Sequence, residues 1–190
     1  MKIPFSQICR DYLALRGESP DLLPRLEEEE EYPVLTLRDE LMVILLEAAE
    51  AAVLQTPSIY LDEIRELTSA PLLDDGGVMI LRMPENYLKL HSLRMADWKE
   101  PVREPEPEGS LRSVLGANAP KWMICAERPM VTEHRDAAGI SLRVYGTASV
   151  AIPREMLYVP RPEFDGENLS LPGAAYPALL RILVEKSRLK

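Results

Sequence analysis

Few side chains in this sequence could carry out nucleophilic chemistry. It contains two histidines, His91 and His134, and two cysteines, Cys9 and Cys125. Histidine is the usual general base at neutral pH, so a Cys125 thiolate activated by His134 is the pair that a small hydrolase could use. Cys125 follows Ile124 in an apolar stretch, however, and a thiol in an apolar strand is usually inert. We therefore expect both cysteines to be ordinary buried thiols.

Metal-binding and cofactor-binding patterns are equally weak. The segment "DEIRE" at 62–66 places Asp62 and Glu66 on one face of a predicted helix, but any solvated helix produces the same spacing. The glycine pair Gly76-Gly77 is not followed by the lysine and hydroxyl residues of a phosphate-binding loop. No nucleophile-elbow, zinc-protease, dinucleotide-binding or Walker pattern is present. The sequence thus predicts no catalytic residue, no cofactor, no metal site and no enzymatic activity.

The charge balance restricts the partners that this chain could bind. It has 22 lysines and arginines against 31 acidic residues, a formal net charge of −9, and a sequence pI of about 4.9. Nucleic-acid binding through phosphate neutralisation needs a clustered basic face, which this composition disfavours. The run Glu27–Glu31 is predicted to be a solvated loop or exposed helix end, with a cation or partner site as the alternative.

No segment has the properties of a membrane span or of a secretory signal. The longest apolar run, "LMVILL" at 41–46, is far shorter than the roughly 18 residues that a span requires. The first residues are interrupted by polar side chains, so we expect no cleaved signal. The sequence predicts a soluble protein with no membrane partner.

The N-terminal part of the chain is predicted to be helical. The spacing predicts a helix that starts with Pro4 as its first residue and stops at Gly17. A second predicted helix spans about 37–55 behind Thr36 as its N-cap, and a third spans 59–70. The second is apolar around most of its circumference, which is typical of a central helix packed on several sides.

A closing helix is predicted near the C-terminus. Its firm part begins near Pro177, and its last turns are rich in basic residues, which suits the negative end of the helix dipole. The basic residues are Arg181, Lys186, Arg188 and Lys190.

Between the helices the pattern changes to strands. Asp75-Gly76 lies between two apolar runs and predicts a β-hairpin. The stretch "RMPENYLKLHSLRMADWKEP" at 82–101 reads as an extended segment with a phase shift that indicates a bulge. Trp98 is expected to close one end of that sheet, with its indole N–H bound to a carbonyl or water. The inward residues are predicted to be Leu88, Leu90, Leu93 and Met95.

Further strands are predicted after this segment. Residues 121–129 ("KWMICAERP") and 140–150 form two strands, joined by a polar turn at 132–139. Residues 103–120 are interpreted as a mobile loop with one short helical turn. Residues 152–172 are predicted to be mostly irregular, with "MLYV" at 156–159 as one last strand.

The fold class that follows is α+β. We expect a small helical bundle made of residues 1–70 and 172–190, with a β-rich insert at 71–171 in the middle of the chain. In this order of elements the terminal helices pack together across the insert, and the insert is exposed at one edge.

This layout resembles the tail-adaptor proteins of short-tailed bacteriophages, also called head-to-tail connector, tail tubular or gateway proteins. The stretch "LRMPENYLKLHSLRMADW" resembles the family's extended segment, and "LPGAAYPALLRILVEKSRL" resembles its closing helix. Together these segments cover about a third of the chain. The Pro-rich stretch at 152–172 and the Glu run have no counterpart in the family pattern.

The resemblance implies a structural protein of the virion, assembled in the bacterial cytoplasm and encoded by a phage or a prophage. Family members form a ring, commonly of twelve copies, that docks below the portal and binds the tail while DNA passes through the lumen without specific binding. In this interpretation Tyr87, Trp98, Arg181 and Lys186 are candidate contacts to a partner or a neighbouring subunit. The alternatives are a soluble adaptor or regulatory binding protein unrelated to phages, or a small hydrolase that uses Cys125 and His134.

Overall fold

The computed structural model describes residues 1–18, 37–67, 72–75, 78–117, 124–137, 139–147 and 153–188. The chain divides into two compact units. The helical unit contains residues 1–63 and 161–190, and the β-rich unit contains residues 64–160. Helices lie at both ends of the chain and strands lie in the middle, so the predicted α+β class is confirmed. The Glu27–Glu31 run lies outside the described residues.

The first helix of the helical unit, α1, spans Phe5–Arg16 and begins one residue later than predicted. Pro4 has an extended backbone and occupies the N-cap position, directly after the short strand β1 at Lys2–Pro4. Gly17 ends the helix as predicted, because its φ of 75° is left-handed and its N–H donates to the carbonyls of Ala14 and Leu13. The buried face of α1 consists of Phe5, Ile8, Cys9, Tyr12 and Leu13.

The second helix, α2, spans Leu37–Gln55, as the spacing predicts. Its core face carries three alanines, which allow close packing against a neighbouring helix. The buried residues are Leu41, Leu45, Ala48, Ala49, Ala52 and Val53. The hydroxyl of Thr56 donates to the carbonyl of Ala52 at 2.8 Å, directly before Pro57 stops the helix.

The third predicted helix, at 59–70, is wrong over its described part. A single 3₁₀ turn at Ser58–Tyr60 is followed by extended backbone and by the two-residue strand β2 at Arg65–Glu66. Tertiary contacts override the local helical pattern here. Asp62 accepts from the backbone N–H of Gly173 at 3.2 Å, so it does not share a helical face with Glu66.

The closing helix, α4, spans Tyr176–Arg188 and packs against both α1 and α2. Its predicted start near Pro177 is confirmed within one residue. The unit also contains a small sheet with strand order β1, β11, β10, in which β10 is Glu163–Phe164 and β11 is Asn168–Ser170. The mostly irregular path predicted for 152–172 is therefore wrong, because residues 153–160, 163–164 and 168–170 are all paired strands.

The β-rich unit contains two sheets. The larger has the order β3, β4, β8, β7, β6, in which β6 is parallel to β7 and the other pairs are antiparallel. Its strands are β3 (Leu72–Asp75), β4 (Val78–Arg82), β6 (Glu106–Pro107), β7 (Met130–Asp136) and β8 (Gly139–Tyr145). Asp75 pairs with Val78, which confirms the predicted hairpin; the two glycines between them lie outside the described residues.

The smaller sheet of this unit has the order β2, β9, β5, with β5 at Tyr87–Met95 and β9 at Pro153–Pro160. The β5–β9 register shifts in three places, which confirms the predicted irregularity of the extended segment. The predicted inward residues Leu88, Leu90, Leu93 and Met95 are all buried. Strand β9 contains the predicted strand at 156–159 and is longer at both ends.

Two predicted boundaries in the β-rich unit need correction. Residues 124–129 form bends and turns instead of a strand, and the backbone N–H of Arg128 donates to the carbonyl of Cys125 at 2.8 Å. The predicted turn at 132–139 is largely strand β7, so His134 lies in a strand. The helical turn expected within 103–120 is confirmed as α3, at Leu111–Ala117.

Candidate interaction surfaces

Two of the four candidate contact residues are core residues. Tyr87 has no exposed side-chain surface and Trp98 is 2% exposed, and both belong to the main hydrophobic cluster of the β-rich unit. The Trp98 indole N–H donates to the carbonyl of Gly146 at 3.1 Å, as predicted for a residue that closes the sheet. Neither side chain is available to a partner, because both are buried in this cluster.

The hydroxyl of Tyr87 has a specific partner inside the same unit. It donates to Glu133 Oε2 at 2.9 Å, and Arg135 Nη2 lies 2.8 Å from the other carboxylate oxygen of Glu133. Burial and the negative charge of Glu133 raise the pKa of Tyr87 well above its usual value. This contact joins β5 to β7 and is structural.

The two basic candidates lie on α4. Arg181 is exposed, whereas the ammonium of Lys186 lies 2.6 Å from Glu47 Oε1 on α2. Beside Lys186 is a depression of about 250 Å³ that also contains Tyr12 and Leu41. Arg181 and Lys186 remain predictions as partner contacts.

An exposed apolar surface on α2 was missed by sequence reasoning. Four residues of this helix expose their side chains on one side: Met42 at 42%, Val43 at 74%, Leu46 at 45% and Leu54 at 49%. We call these four residues the apolar face of α2. Sequence reasoning interpreted an apolar circumference as burial on several sides, but the described residues cover only the side that contains Leu41 and Leu45. The sequence signal for this surface was the presence of large apolar residues on the side of α2 opposite its buried alanines.

Two further exposed apolar side chains follow α2 in the sequence. Ile59 and Tyr60, in the 3₁₀ turn, are 60% and 63% exposed. Scattered apolar residues are normal on protein surfaces, whereas three large ones within little more than one helical turn, as at Met42, Val43 and Leu46, form a candidate protein-binding surface. Glu47 and Glu50 lie on α2 between Leu46 and Leu54, and they pair with Lys186 and Arg161 respectively.

The strand register separates Cys125 from His134. The Cys125 backbone contacts Gly146, which directly follows the end of β8 where Tyr145 pairs with Met130. His134 pairs with Ser141 at the other end of this hairpin. Four residues of strand correspond to roughly 13 Å. The structure therefore does not bring the thiol and the imidazole together.

Each histidine has a different environment. The Nδ1 atom of His134 lies 2.6 Å from Glu108 Oε1, at the surface of the larger sheet. His91 lies on β5, and its Nδ1 atom is buried without a hydrogen-bond partner in the structure. Burial and the nearby positive charge of Arg103 lower the pKa of His91, while Glu155 acts in the opposite direction.

We expect His91 to make the stability of the β-rich unit depend on pH. Since its pKa in the folded protein is below the unfolded value of 6.5, the unfolded chain takes up the proton first as the pH falls. The stabilising contribution of neutral His91 is therefore present above pH 6.5 and is lost below it. Urea unfolding between about pH 8 and pH 5.5 should show a steeper loss in the wild type than in His91→Gln. Equal slopes for the two proteins would contradict this assignment.

The described residues contain no group of three histidine, cysteine, aspartate or glutamate side chains that could hold a metal ion. In the same part of the chain, no helix is long and apolar enough to cross a membrane. Comparison of the sequence with protein-family models and with curated proteins finds no match. The most prominent surface feature of the described residues is the group of exposed apolar side chains on α2.

Proposed function

We propose that this chain is a non-enzymatic structural protein of a bacteriophage virion, a head-to-tail connector adaptor. In this proposal it forms a ring below the portal and docks the tail. The observation that carries the proposal is the apolar face of α2, which is exposed in the single chain and is suited to burial against another protein.

The apolar face of α2 has the composition of an interface core. Met42, Val43 and Leu46 lie within little more than one helical turn of each other, and Leu54 extends the same side. Burying one such side chain contributes about 1.5–3 kcal/mol. In a ring, every contact between neighbouring subunits would gain this stabilisation from the buried apolar face.

The negative charge supports the same proposal. A ring of subunits that each carry a formal charge of −9 repels DNA phosphates, so a duplex can move through the lumen without being held. The two segments that resemble tail adaptors fall on β5 with its flanking residues and on α4. Localisation to the virion, after assembly in the bacterial cytoplasm, belongs to this proposal.

The experiment that tests this function mixes the purified protein with the portal protein of its own phage or prophage. Negative-stain imaging and sedimentation are expected to show rings of this protein on portal particles, even where the free protein is monomeric. Folded protein that leaves the portal unoccupied at micromolar concentrations, about the range of moderate affinities, would contradict the proposal. A stable dimer that ignores the portal would favour the adaptor unrelated to phages.

A further inference from the structure

A depression on the larger sheet of the β-rich unit collects two arginines. It has a volume of about 120 Å³ and is lined by residues of β4, β7 and β8, including Arg82, Arg143, Ser141 and His134. On β8 the alternate residues Leu142 and Val144 are buried, so Ser141 and Arg143 lie on the opposite, outer face of the sheet. We call this feature the arginine depression.

The strand register sets the geometry of the two guanidinium groups. Arg82 pairs with Ser141, and Arg143 pairs with Ile80 on the same neighbouring strand. The two arginines are therefore diagonal neighbours, with side chains that start roughly 7–8 Å apart. Long side chains at this separation can place both guanidinium groups on one anion.

The charges at this position are not balanced within the described part of the unit. Neither Arg82 nor Arg143 forms an ion pair with a described carboxylate. Asp136 is the acidic residue of the lining, and His134 is held by Glu108 at the rim. Arg82 and Arg143 bring two positive charges to the lining, and Asp136 brings one negative charge. The arginines therefore exceed Asp136 by one positive charge, which one carboxylate would match.

We propose that the arginine depression binds a glutamate side chain from the acidic run Glu27–Glu31 of a second copy of the chain. Arginine pairs recognise a carboxylate through parallel charge-assisted hydrogen bonds, and the run offers five adjacent carboxylates. Two arginines next to an aspartate are too few for a nucleic-acid surface on a chain of charge −9. The inference rests on the proposed ring, which requires a contact between neighbouring copies.

The test uses a receptor that cannot occupy its own site. In the full chain, Glu27–Glu31 are all replaced by glutamine, and a fluorescent peptide of residues 24–33 ("PRLEEEEEYP") is titrated by anisotropy. Adding Arg82→Gln or Arg143→Gln is expected to weaken peptide binding by about tenfold or more, as for loss of a charge-assisted hydrogen bond. The matched control is Arg154→Gln, an exposed arginine on β9, which should change the affinity by less than about twofold.

Several outcomes would overturn the proposal. One is equal binding of the same peptide with glutamine at all five positions. Another is unchanged affinity in both arginine variants, and a third is inorganic phosphate that competes as well as the peptide. A duplex DNA that binds through both arginines while the peptide does not bind would also overturn it.

A second measurement separates a neighbouring copy from binding within one chain. A chain with Arg82→Gln and Arg143→Gln keeps the acidic run, and a chain with the glutamine run keeps both arginines. Sedimentation velocity of the mixture is expected to show association that neither chain shows alone. If the mixed chains stay unassociated at concentrations above the Kd measured for the peptide, the assignment to a second copy is overturned. Because neither assay needs the portal, failure of ring formation on the portal is distinguishable from failure of this contact.

Discussion

Replacement of Trp98 by alanine is expected to lower the free energy of unfolding of the β-rich unit by about 3–5 kcal/mol. The indole is 2% exposed and belongs to the cluster that also contains Tyr87 and Leu90, so its removal leaves a large cavity. The substitution also removes the hydrogen bond to the carbonyl of Gly146. Urea denaturation followed by circular dichroism measures the change.

Two further variants make this result specific to the core. Trp98→Phe keeps an aromatic ring but loses the N–H, so we expect an intermediate loss of about 1–3 kcal/mol. Leu111→Ala truncates a side chain that is 77% exposed in the same unit and should change stability by less than about 0.5 kcal/mol. If Trp98→Ala were as mild as Leu111→Ala, the assignment of Trp98 to the core would be contradicted.

The double substitution Val43→Glu and Leu46→Glu is expected to abolish ring formation on the portal. Both side chains are exposed in the single chain, so the fold should keep its stability within about 0.5 kcal/mol per site. In an assembled interface each new carboxylate would be buried without a partner, at an effective cost of several kcal/mol. The apparent affinity for the portal should therefore fall by more than about 100-fold.

Leu15→Glu provides the matched control for this loss. Leu15 is 55% exposed on α1 of the same unit and lies outside the apolar face of α2. We expect this variant to assemble like the wild type in the same imaging and sedimentation assays. If the double variant assembled like the wild type, the assignment of the apolar face of α2 to the interface would be contradicted.

Local signals in the sequence account for the helices of this fold. Gly17 has the left-handed backbone that stops α1, and Pro57 marks the end of α2, so both ends were predictable. Residues 59–67 have a helical pattern, but β2 pairs with β9 near Tyr158. That pairing joins distant parts of the chain, and no short-range rule contains it.

The candidate sites were harder to predict because they depend on strand pairing. The resemblance to tail adaptors makes Tyr87 and Trp98 candidate contacts, but pairing of β5 with β9 places Tyr87 inside the unit. Arg82 and Arg143 are far apart in the sequence, and only the β4–β8 register brings them to one depression. The apolar composition of α2 was visible in the sequence, whereas the side left uncovered was not.

Thiol labelling of the apolar face tests the central claim most directly. Val43→Cys is introduced together with Cys125→Ser. The Cys125 thiol is only partly buried and would itself be labelled, whereas Cys9 is buried and is kept. In the free protein the new thiol should react rapidly, and in rings on the portal the rate should fall by about tenfold or more. Leu15→Cys in the same background should keep its rate. Rings in which the Val43→Cys thiol reacts as fast as in the free protein would contradict the account.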